Sequence, residues 1–179
     1  MISREEMTQA RQQAFGLIRA SGFPVLERER EDIEVADFGL GQLEVEGAQI
    51  LTLVATGRIA AKLIVLFPHQ TLPEHRHPSV GADPGKEETI RAFWGQVYIY
   101  VEGPDTVKHG AVPPKQAKVY SSRHEVSLMP GDQYYFEPGR KHWFQAGADG
   151  AVLLSFSSVA RDGLDDFSDP RIKRATEVR

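Results

Sequence analysis

Between about residues 36 and 160 the chain is a succession of short apolar runs, each stopped by glycine or proline. Gln49 to Thr56 and Ala60 to Phe67 are rich in Ile, Leu and Val, and Gly57-Arg58 between them is a hairpin signal. Glu88 to Val101, Glu125 to Leu128, Gln133 to Phe136, His142 to Gln145 and Ala151 to Val159 continue the pattern. The breaks fall at Gly81, Pro84-Gly85, Gly103-Pro104, Pro113-Pro114, Pro130-Gly131, Pro138-Gly139 and Gly147. Many short strands at this spacing predict an all-β sandwich or barrel.

The two ends read differently. Ser3 followed by Glu6 is a capping-box signature, and Ala10, Ala14, Leu17 and Ile18 recur at helical spacing. An amphipathic helix is expected to end near Ala20, with Gly22 as its stop and Pro24 just beyond. Glu27 to Asp32 reads as a solvated short helix or loop. Residues 1–35 are thus expected to form a helical extension and 36–160 the barrel. Residues 161–179 should be a polar tail over the outside, disordered in part at its very end. A length of 179 residues fits one domain.

A net charge of −4 argues against a nucleic-acid partner, which needs a clustered basic footprint. Arg171, Lys173, Arg174 and Arg179 cluster in the tail and read as a solvated end. Without cysteine there is neither disulfide nor thiolate ligand, which fits a reducing cytoplasm. The first residues lack the apolar run of a signal peptide. No stretch approaches the ~18 apolar residues of a membrane span, so a soluble cytoplasmic protein without a membrane partner is expected.

Glu74-His75-Arg76-His77, Glu88 and, far downstream, Gly139-Arg140-Lys141-His142 carry the chemistry. Histidines at i and i+2 of an extended segment share one face, so His75 and His77 can grip one ion without bending the backbone. Three neutral nitrogens and one anionic oxygen suit a borderline divalent cation such as manganese, iron, cobalt, nickel or zinc. Polar residues lining a barrel without metal are the alternative.

The two halves of this set resemble the signature motifs of the cupin superfamily, a double-stranded β-helix or jelly-roll barrel. The resemblance implies His75, His77, Glu88 and His142 as metal ligands. The match departs in four ways: the loop from His77 to Glu88 is long, His69 stands where a glycine is usual, Glu137 replaces a proline, and Ala146 an asparagine. None removes a ligand. Five strings are similar to the D-lyxose isomerase family of cupins: Leu66 to Pro78, Gly85-Lys86-Glu87-Glu88-Thr89, Gly95 to Gly103, Lys141 to Gly147, and Phe167-Ser168-Asp169-Pro170. The likeness runs over about residues 36–172. It implies a manganese-type ion, interconversion of D-lyxose with D-xylulose and of D-mannose with D-fructose, and, as in many cupins, a homodimer.

Such a reaction moves a proton between C1 and C2 of an open-chain sugar through an enediol. An ion chelating O1 and O2 would act as a Lewis acid, and a carboxylate in a partly apolar pocket would move the proton. Glu74, Glu87, Asp166 and Asp169 are candidate bases, although strict alternation points Glu74 and Glu87 away from the ligands. Lys62 interrupts the apolar run Ala60 to Phe67, so it either faces solvent or sits inside near the substrate oxygens. As a buried cation it would need a partner. Alternation from Glu88 and from His142 nominates Trp94 and Phe144 as walls of a sugar pocket, and parity turns Arg76 outwards. Two alternatives stay open: a phosphosugar isomerase, for which Lys62, Arg76, Lys86 and Arg91 look too dispersed to grip phosphate, and a non-catalytic sugar-binding cupin. A dioxygenase could use the same ligands, but nothing in the sequence selects for dioxygen chemistry.

Overall fold

The computed structural model describes residues 1–179. Helix α1 (Arg4–Ala20) begins at the expected capping box: Glu6 N–H donates to Ser3 Oγ, and Ser3 N–H donates to the Glu6 carboxylate. Its buried face is Ala10, Ala14, Phe15 and Ile18. A 3-10 turn at Glu27–Arg30 follows, with no buried residue.

Nine strands make up the rest: β1 (Glu34–Ala36), β2 (Ala48–Ala55), β3 (Ile59–Leu66), β4 (Thr71–Arg76), β5 (Glu88–Val101), β6 (His124–Leu128), β7 (Gln133–Phe136), β8 (His142–Ser158) and β9 (Asp166–Phe167). All pair antiparallel in one curled sheet. β8 runs on where the sequence suggests two strands. Its first part pairs with β4, its second with β3, and β5 follows its other edge throughout. β5 in turn carries β7 on its first half and β6 on its second. The two long strands therefore bend together from one half of a jelly-roll barrel into the other.

The bend falls at a glycine pair. Gly95 and Gly150 have φ of 70° and 85°, and a Cβ on Gly95 would stand 2.1 Å from the Gly150 carbonyl oxygen. Only glycine accepts both that conformation and that approach.

Alternate residues then separate two apolar layers. Ile50, Ile64, Ile90, Ile99, Phe136 and Phe144 belong to the barrel interior. Leu51, Leu63, Val65 and Val152 face outwards and are covered by α1. Burying a side chain of this size contributes about 1.5–3 kcal/mol. On the other half, Tyr100, Tyr120 and Trp143 pack together beneath the loop between β5 and β6, and Trp143 Nε1–H donates to the Ser122 carbonyl at 2.8 Å.

The tail is fastened along its length. β9 pairs with β4, Ile2 bridges Val178, and Arg179 N–H donates to the Ile2 carbonyl at 3.0 Å. The expected disorder at the end is replaced by pairing with the chain's own beginning. No helix is long and apolar enough to cross a membrane.

Candidate metal centre

A bulge in β4 aims the first imidazole. Leu72 stands opposite Phe144 and His75 opposite His142, with a register shift between them. Leu72 and His75 can thus both face the interior although they are three positions apart. Alternation resumes beyond the bulge: His77 returns to the interior, and Arg76 is exposed, as parity requires. Glu88 opens β5 on the interior face that continues with Ile90 and Ala92.

The ligand atoms of His75, His77 and His142 lie within 4.8 Å of one another, all buried. Their ring centroids are 4.4 to 5.1 Å apart. Glu88 completes the set, with a carboxylate oxygen 3.1 Å from His77 Nε2. These four side chains come from three strands and the residue after one of them, and they converge inside the barrel.

Whether they suit a metal can be judged from the nitrogens. The Pro73 and Arg140 carbonyls lie 2.9 Å from Nδ1 of His75 and His142 respectively. A carbonyl can only accept, so each ring carries its proton on Nδ1 and leaves an Nε2 lone pair. His142 Nε2 is buried without any hydrogen-bond partner, an arrangement that is costly unless something coordinates it. Burial also pushes both rings towards the neutral form, His75 to about 4 and His142 well below the usual histidine value. Two oriented lone pairs, a third imidazole and a carboxylate fit a divalent ion. On Glu88 burial favours the acid, but Lys86 and His77 outweigh it and hold the carboxyl well below its ordinary value. Burial opposes charge on His77, and the hydrogen bonds to Asp165 and Glu88 raise it nonetheless.

Around the ligands lies a ring of charged groups. His77 Nδ1 is 2.8 Å from Asp165. Lys86, 9% exposed, places Nζ 3.5 Å from Glu88 and 3.8 Å from Asp162. Lys62 points into the interior and pairs with Asp162, answering the question its sequence context leaves open. Arg174 pairs with Glu34 and lies 3.6 Å from Asp162. It is therefore drawn into the barrel mouth, where the sequence suggested a solvated end.

Several nominated residues lie elsewhere. Trp94 packs on the outer layer beneath α1, because the register shifts between Ala92 and Trp94 and the bulge reverses its face. Asp166 points out of the barrel and pairs with Arg76 at 2.7 Å. Glu74 is fully buried but faces away from the histidines, accepting from Ser121 and Ser122 N–H at 2.9 and 2.6 Å and from Ser168 Oγ–H at 2.6 Å. It latches the β5–β6 loop. Asp169 is held by Arg171 and Gln116. Phe144 does line the cavity beside His75.

Sequence reasoning missed Asp165, Asp162 and Lys86 as cavity residues. Lys86 had a signal, its i, i+2 spacing from Glu88. Asp165 had a weaker one, since an outward Asp166 implies an inward neighbour.

No protein-family model matches the sequence. Among curated proteins, the chain is 49% identical over 170 residues to a D-lyxose ketol-isomerase of Cohnella laeviribosi, covering 94% of this chain and 93% of that protein. It is 46% identical over 179 residues to a D-lyxose/D-mannose isomerase of Thermosediminibacter oceani, covering 99% of each. Among solved structures, an L-ribose isomerase of Cellulomonas parahominis superimposes with a TM-score of 0.83 at 18% identity, over 99% of this chain and 98% of that one. That of Geodermatophilus obscurus gives 0.76 at 16%, with the same coverage. Both likenesses show the same cupin-type fold.

Proposed function

We propose that this chain, which belongs to the D-lyxose isomerase family, interconverts D-lyxose with D-xylulose and D-mannose with D-fructose in a metal-dependent reaction. Membership of the family makes the chain a sugar isomerase; the substrates, the metal and the residue roles are our reading. The observation that carries it is the convergence of His75, His77, His142 and Glu88, with an unpartnered His142 nitrogen, at the bottom of a charged cavity.

In this reading those four residues hold a divalent ion, manganese being the expected one. When bound, the ion supplies Lewis-acid polarisation of the sugar oxygens next to the reacting carbons. Asp165 fixes the orientation of His77 through Nδ1, as a carboxylate behind a ligating imidazole does. Among the cavity carboxylates Asp162 is the one engaged with neither an imidazole nor the ligand set, so we assign it the proton that moves between C2 and C1. Lys62, against Asp162 in the apolar wall of β3, places positive charge where the enediol oxygen becomes negative. Phe144 forms a wall, and Asp162 takes the place that sequence alone gave to Glu74 or Asp166.

The phosphosugar alternative gains one point, because Lys62, Lys86 and Arg174 meet at Asp162. It loses it again to Glu34, Glu88, Asp162 and Asp165, whose carboxylates balance those cations and leave no surplus for a dianion. A homodimer also belongs to the reading. Val54, Phe156 and Tyr135, all exposed, share one cross-strand row on the outer face and support self-association.

The test is an assay of manganese-loaded protein for ketose formation from D-lyxose, D-mannose and mannose 6-phosphate. Turnover of the free sugars, lost in His77→Gln without loss of the fold, is expected. Preferred turnover of the phosphate ester would move the protein to the phosphosugar class, and binding without turnover to the sugar-binding cupins.

A further inference from the structure

The chain between β8 and β9 is attached to the barrel in an unusual way. At one end Ser158 N–H donates to the Glu87 carbonyl at 3.1 Å, and at the other Phe167 pairs with His75 across β9 and β4. Between these anchors the backbone hydrogen bonds of residues 160–165 are local: Leu164 N–H to the Arg161 carbonyl and Asp165 N–H to the Asp162 carbonyl. Its other ties to the barrel are charge pairs: Arg161 with Asp83 at 2.9 Å, Asp162 with Lys62, Lys86 and Arg174, and Asp165 with His77. Gly163 has no neighbour against its missing side chain, and Leu164 is 52% exposed. A segment held by side-chain ion pairs, without ladder bonds or apolar packing, belongs to the low-stability end of a fold.

This segment also decides what can reach the ligands. The cavity beside His75, Lys62 and Glu88 has a volume of about 40 Å³, room for a few waters, whereas small-molecule sites run from about 300 Å³. Two further recesses adjoin the segment: one next to Glu34 and Lys173, sharing Asp162 and Arg174 with the inner cavity, and one between Val80 and Leu164, sharing Lys86 and Asp165 with it. Moving residues 160–165 outwards would merge these spaces into one.

We propose that residues 160–165 form a strap that swings out to admit the sugar and closes over it, returning Asp162 and Asp165 to the cavity. The proposal rests on the reading that a sugar is the substrate, and it adds a gating step to that reading. Closure would exclude water and complete the acid–base set in one movement, the usual reason for a closing element over a proton-transfer site. The ion pairs suit that task, since each can be exchanged for hydrogen bonds to water or sugar without exposing apolar surface.

The chain's lack of cysteine allows a direct test. In the full chain, Val80→Cys and Leu164→Cys would be joined by a short bimane bridge and the bridge verified by mass. The bridged protein should lose at least about tenfold in kcat/KM for D-lyxose, while each singly substituted, bimane-labelled protein keeps its activity. Full activity of the bridged protein would overturn the strap. Amide exchange on the unmodified protein gives a second readout. Residues 160–165 should exchange at least about a hundredfold faster than the second half of β8 and slow down with saturating D-lyxose. Protection equal to that of β8, or fast exchange untouched by a sugar that is turned over, would also overturn it. If the unmodified protein turns over no sugar, the substrate reading has failed, and exchange in the free protein still decides whether the segment opens.

Discussion

Asp165 Oδ1 stands 2.8 Å from His77 Nδ1, across 88 residues of sequence. Fixing a ligating ring through its far nitrogen sets both the tautomer and the aim of the near one. Asp165→Ala should therefore weaken manganese binding by about 10–100-fold while leaving the circular dichroism spectrum unchanged. Titration calorimetry on metal-stripped protein checks this. Affinity equal to wild type would show that Asp165 does not position the imidazole.

The loop between β5 and β6 is fixed by a second, half-buried acid. Glu125 accepts from Tyr100 O–H and from the Lys108 and His109 N–H groups at 2.9 to 3.0 Å. Burial favours its neutral form, but the backbone donors outweigh it and hold the carboxyl at about 2, against an ordinary 4.5. A depressed folded-state value means that the unfolded chain binds the proton more readily. The stabilisation is full above about pH 4.5 and is lost as pH falls towards 2. Thermal unfolding from pH 5 to 2.5 should show a decline of which Glu125→Gln removes a share of roughly 1–2 kcal/mol after solvent screening. Parallel curves for the two proteins would count against this role.

His69 stands where cupins usually carry glycine, and it adopts the left-handed conformation, with φ of 59°. That conformation costs a non-glycine residue about 1–2 kcal/mol, offset in part by the entropy glycine loses on folding. His69→Gly should stabilise the protein by about 0.5–1 kcal/mol in urea unfolding. Destabilisation would mean that the imidazole makes up for the strain.

These residues show which parts of the molecule can be read in sequence. Period-two spacing and the Gly and Pro breaks identify the strands and the inward face of His75 and His77, because both properties are local. Bulges defeat the same logic. A register shift after Ala92 turns Trp94 to the outside, and another before His75 brings Leu72 and His75 onto one face. A bulge depends on how partner strands bend, and no residue type announced these two. The charged ring was hidden for another reason. Lys62, Lys86, Asp162 and Arg174 come from separate elements, so their meeting at one point follows from the tail's path over the barrel mouth. The motif likeness nominated His75, His77, Glu88 and His142, which the fold brings together, but it was silent on Asp162.

The central claim is that His75, His77, Glu88 and His142 together form a seat for one divalent cation. The most direct measurement is titration of manganese into chelator-stripped protein, followed by electron paramagnetic resonance, for wild type and His142→Gln. One tightly bound ion per chain is expected in the wild type. In the variant that binding should be abolished or weakened by orders of magnitude, with secondary structure intact. Equal binding by both proteins, or none by the wild type, would contradict the account.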